Sequence, residues 1–73
     1  MAATAHGAIM RFVIELEDGV WMAKGDGDPP RTLLLENAET YPTYKKAENR
    51  LNFHKFRCPH RSFSNSKIIE VQS

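Results

Sequence analysis

Seventy-three residues make one small domain, and a chain of this length buries only about 60% of the surface that its unfolded form exposes. Hydrophobic residues make up 41% and charged residues 26%, a globular balance that argues against a disordered chain. The net charge of +1 excludes a histone-like basic arm and an acidic tail. No apolar run approaches the roughly 18 residues of a membrane span, so no membrane role is expected. The lone Cys58 cannot close an internal disulfide, which removes the usual staple of small secreted domains and points to a cytoplasmic setting.

Residues 1–9 carry small side chains and no charged group, without the basic start or apolar stretch of a secretory signal. They read as a flexible lead, ahead of a single domain over residues 10–73. From Met10 the pattern alternates: Phe12, Ile14 and Leu16 on one face, and Arg11, Val13, Glu15 and Glu17 on the other. A period of two predicts a strand with one wet face. On that face Glu15 and Glu17 read as solubilising edge charges. Asp18-Gly19 supplies the positive φ angles of a tight hairpin turn, and Val20–Lys24 returns as a second strand. Trp21 and Ala23 then share one face and Val20, Met22 and Lys24 the other, with Trp21 expected in the core.

Gly25-Asp26-Gly27-Asp28-Pro29-Pro30 is a loop by composition. A third strand is expected over 31–36, with Leu33 and Leu35 on one face. Thr43 is placed to cap a helix from Tyr44 to Phe56 or Arg57, and Pro59 ends it. At about 100° per residue, Tyr44, Ala47, Leu51, His54 and Cys58 form its inward stripe. A last strand, 67–71, is expected beside the first, in an interior position because both its faces are apolar. The fold class is therefore α+β, in the order β-β-β-α-β: a small, mainly antiparallel four-stranded sheet with one helix packed on one face.

This order, with Thr43-Tyr44-Lys45-Lys46-Ala47-Glu48-Asn49-Arg50-Leu51 in the helix and Ile68-Ile69-Glu70-Val71 at the end, resembles small domains encoded by phages and prophages. The resemblance covers residues 10–72. It implies an adaptor or inhibitor role and brings no active site with it.

The near-zero net charge hides a dipole. Residues 1–42 hold three cations against seven anions, a net −4, whereas residues 43–73 hold seven against two, a net +5. Such a field steers partners and sets association rates. On the helix, Lys46, Arg50, Phe53 and Arg57 fall opposite the apolar stripe, with Arg61 following. An exposed aromatic among cations suits an anchor on an acidic protein surface. It also suits base stacking combined with phosphate neutralisation. The leading reading is a non-enzymatic interaction module that binds a protein partner through this basic helix face. The alternative is a small nucleic-acid-binding domain using the same residues.

Three readings compete weakly. His54, Cys58 and His60 put three zinc-type ligands within seven residues, yet a structural zinc site wants a fourth. Cys58 beside a histidine lacks the orienting group and oxyanion site that thiol catalysis needs. Asp26 and Asp28 have the alternation of a calcium loop but not its closing Glu, and read as a polar turn. No complete catalytic signature is present, and neither an enzyme nor a cofactor is expected.

Overall fold

In the computed structural model, residues 10–25, 27 and 29–72 are described. The first nine residues, Asp26, Asp28 and Ser73 lie outside them, and with them the flexible-lead and calcium-loop readings. Strand β1 spans Met10–Glu17, β2 Val20–Met22, β3 Arg31–Thr32 and β4 Lys67–Gln72, with one helix, α1, at Tyr44–Arg57. The four strands form one antiparallel sheet in the order β3-β2-β1-β4. The expected α+β architecture holds.

The alternation in β1 decides the layers. Ile14, fully buried, joins Met22, Tyr41, Ala47 and Leu51 in the core, with Phe12, Leu16, Phe63 and Ile68 packed around them. This is the face on which α1 lies. The other face is not wet, however. Val13 is 1% exposed and Glu15 only 8%. Nor is Glu15 an edge charge, because β1 is a central strand. Its carboxylate accepts the Gly19 N–H at 3.3 Å and meets the Lys67 ammonium at 3.7 Å, so the buried charge is paired on both oxygens.

The β1–β2 hairpin corrects two expectations. Of the turn residues only Gly19 takes a positive φ, 78°, so the turn lacks the doubly left-handed form that matches strand twist. A register shift between Glu15 and Glu17 absorbs the difference as a bulge. Pairing Glu15 with Trp21 then puts Trp21 on the Glu15 face, away from α1. Met22 takes the core position, completely buried, and Trp21 is half-buried.

The third strand is two residues long, not six. The Thr32 hydroxyl accepts the Leu34 N–H at 3.1 Å and bends the chain out of the ladder. A 3₁₀ turn at Leu35–Asn37 follows, closed by Asn37 N–H to Leu34 C=O at 3.0 Å. Leu33, Leu34 and Leu35 are left 76%, 53% and 47% exposed, so the expected shared face of Leu33 and Leu35 does not form. Residues 38–41 then fill the gap where β1 and β2 diverge. Phe12 and Tyr41 exchange both backbone hydrogen bonds at 2.8 Å, and Glu39 N–H donates to Met22 C=O at 2.9 Å.

Strand β4 lies beside β1, as expected, but at the sheet edge. Its two apolar faces have another cause. Ile68 pairs with Ile14 and Ile69 with Val13, and both faces of the central strand are covered at those positions. The helix begins where Thr43 accepts the Lys46 N–H at 3.1 Å and ends at Arg57. Ala47, Leu51, His54 and the capping Cys58 face inward. Tyr44 departs from that stripe. It is 53% exposed and touches Phe12 only edge to face, with ring centroids 6.0 Å apart.

Candidate functional site

The outward face of α1 presents Lys46, Arg50, Phe53 and Arg57 along its length. The Phe53 ring, 45% exposed, is the centre of this group. The guanidinium carbons of Arg50 and Arg57 each lie 5.5 Å from its centroid. That is within the range of cation–π attraction, which an exposed site makes worth about 0.5–1 kcal/mol. The ring also meets the buried His54 imidazole edge to face, with centroids 5.3 Å apart. Phe53 is therefore held in place before any partner arrives, and little side-chain freedom remains to be lost on binding.

The two arginines differ in what else they touch. Arg50 is half-buried, and its Nε lies 3.7 Å from Oε1 of Glu39. The same oxygen accepts the Tyr41 hydroxyl at 2.6 Å. Arg50 is thus the outermost member of a chain that runs from the core, through Tyr41 and Glu39, to the surface. Burial first, then the neighbouring Glu39 carboxylate, pushes the Tyr41 phenol far above its ordinary range. The phenol stays protonated and serves as a donor. Arg57 has no ion-pair partner among the described residues. Lys46 is exposed, and Phe56 beside this face is 84% exposed.

Sequence reasoning placed Arg50 wholly on the solvated face; the structure ties it down. Glu39 and Tyr41 were legible only as a connection before the helix. No periodic signal marks a loop carboxylate that will meet a helix arginine.

Arg61 lies beyond the helix, in a turn whose N–H donates to Cys58 C=O at 3.0 Å, and it is exposed. His54, Cys58 and His60 do not assemble. His54 and Cys58 are each 2% exposed and face the interior, whereas His60 is exposed. Among the described residues no three of His, Cys, Asp and Glu are grouped as metal ligands. No described helix is long and apolar enough to cross a membrane. No protein-family model, curated protein or solved structure matches this chain, so its own geometry carries the functional reading.

Proposed function

We propose that the chain is a small non-enzymatic interaction module, an adaptor or inhibitor working in the cytoplasm. It binds an acidic protein surface through Lys46, Arg50, Phe53 and Arg57, with Arg61 extending the cationic surface past the helix end. The observation that supports this most is the exposed Phe53 ring held between two guanidinium groups. Aromatic and arginine side chains are the types that dominate binding hot spots, and this ring is pre-positioned. The dipole adds steering, because the helix half of the chain carries the positive charge.

Capture from a lysate of the source cells, with and without nuclease, tests the reading against its nucleic-acid alternative. The expected result is a protein that survives nuclease treatment and binds about tenfold or more weakly to a Phe53→Ala, Arg57→Glu variant. Capture that vanishes with nuclease, with affinity falling steeply and log-linearly with salt, assigns the same face to phosphate and bases instead. A nuclease-resistant partner that binds the variant equally well moves the interface away from α1.

A further inference from the structure

An open recess of about 390 Å³ lies between the β1–β2 hairpin, the start of β3 and the loop after α1. Four apolar side chains, Leu16, Val20, Pro29 and Phe63, line it, and each is buried or half-buried. Arg31, Arg61 and Glu17 also line it, with His60 beside them, and all four are exposed. Neither arginine has an ion-pair or aromatic partner among the described residues, unlike Arg50. The recess sets these apolar side chains beside charged groups, and its volume falls within the range of small-molecule sites.

The charges select the ligand. Among the described lining residues, the two guanidinium groups and the Glu17 carboxylate together carry one surplus positive charge. A carboxylate matches that surplus, whereas a phosphate monoester, carrying about −1.5 to −2 at neutral pH, overshoots it. Arginine also offers a fork of donors suited to the two oxygens of a carboxylate. We propose that the recess binds a small organic monocarboxylate, with its apolar tail against Leu16, Val20, Pro29 and Phe63 and its head at Arg31 and Arg61. The site goes beyond the helix-face interface: it shares Arg61 with it, but Arg31, Leu16, Val20 and Pro29 belong to the sheet half of the chain and play no part at Phe53.

Hexanoate and hexanamide, titrated separately into the full chain and followed by amide NMR, test this. Hexanoate is expected to give saturable shifts around Phe63 and Arg31, and hexanamide, which lacks the charge, to bind about tenfold or more weakly. Arg31→Gln is expected to weaken hexanoate about tenfold at an unchanged melting temperature. N-acetyl-leucine serves as a third probe, and it is expected to bind no more tightly than hexanoate. Hexanoate shifts that do not saturate, equal binding of the amide, or unchanged affinity in Arg31→Gln each overturn the site. Much tighter binding of N-acetyl-leucine overturns the small-acid reading in favour of a polypeptide C-terminus. If the variant unfolds, the acid–amide comparison on the unaltered chain decides alone.

Discussion

Around α1, the inward side holds Ala47, Leu51, His54 and Cys58, none more than 6% exposed, while the outward side holds Lys46, Phe53 and Arg57, all exposed. Of these inward residues, Ala47 and Leu51 join Ile14 and Met22 of the sheet in the core cluster. On the outward side the Arg57 guanidinium lies over the Phe53 ring. Arg50 belongs to both sides, since its guanidinium touches the Phe53 ring on one hand and the Glu39 carboxylate on the other. The contrast teaches that stability and recognition are separated on this helix by rotation about its axis, with one arginine as the joint between them.

The largest break in that comparison is Leu51→Ala. Leu51 is 6% exposed and sits in the cluster with Ile14, Met22 and Tyr41. Truncating it should cost about 2–5 kcal/mol, read from urea denaturation. Small domains hold only about 5–15 kcal/mol or less, so a large unfolded fraction is expected at moderate temperature. A variant that melts like the parent would mean that the helix does not bury this face.

Charge reversal at the two arginines sharpens the contrast. Arg50→Glu sets a second carboxylate beside Glu39 and removes the group 3.7 Å from it, so a loss of about 1–3 kcal/mol is expected. Arg57→Glu leaves no carboxylate unpaired and loses only its contact with the Phe53 ring, so a smaller loss of about 0.5–1 kcal/mol is expected. Equal losses from the two variants, compared by denaturation under the same conditions, would remove the distinction between an arginine with an ion-pair partner and one without.

The same contrast explains what the sequence made legible. Helical periodicity identified the inward stripe because burial imposes a period on the residues themselves: Ala47, Leu51, His54 and Cys58 are all buried. Thr43 and Pro59 bounded the helix through backbone chemistry that is local in the chain. The sheet was harder to read. Alternation in β1 suggested one wet face, yet a central strand in this sheet is buried on both, and Glu15 hides there because Lys67 and the Gly19 amide satisfy it. Gly19 and Lys67 lie four and fifty-two positions from Glu15: one offers a turn amide, the other a side chain on another strand. The third strand was over-read because Leu33-Leu34-Leu35 looks like strand material, while a single hydroxyl at Thr32 turns the chain first. For the candidate site, Phe53 and Arg57 follow from the wheel alone. The Tyr41–Glu39–Arg50 chain does not, since it depends on where residues 38–41 are threaded between β1 and β2.

That chain yields the most selective effect. Tyr41 is 7% exposed, and its hydroxyl donates to Glu39. Burial, with the adjacent carboxylate, raises its pKa above the unfolded value of about 10. The folded state therefore holds this proton at pH values where the unfolded state has released it. The stabilisation is complete below pH about 10 and declines as pH rises from there toward the folded-state value, because unfolding is then accompanied by proton release. The melting temperature should thus fall as pH is raised above about 10, beyond any loss from general charge repulsion. Tyr41→Phe removes the titrating group while keeping the ring in the core. It should be less stable than the parent near neutral pH by about 0.5–1.5 kcal/mol, the worth of one hydrogen bond, and should show a shallower alkaline decline. Arg50→Ala probes the same link from the surface. It removes the cation that moderates the Tyr41 shift, so the alkaline decline should extend to higher pH in that variant. Parallel alkaline profiles for the parent and Tyr41→Phe would show that the phenol is not the group responsible and that the link from core to basic face is not held by its proton.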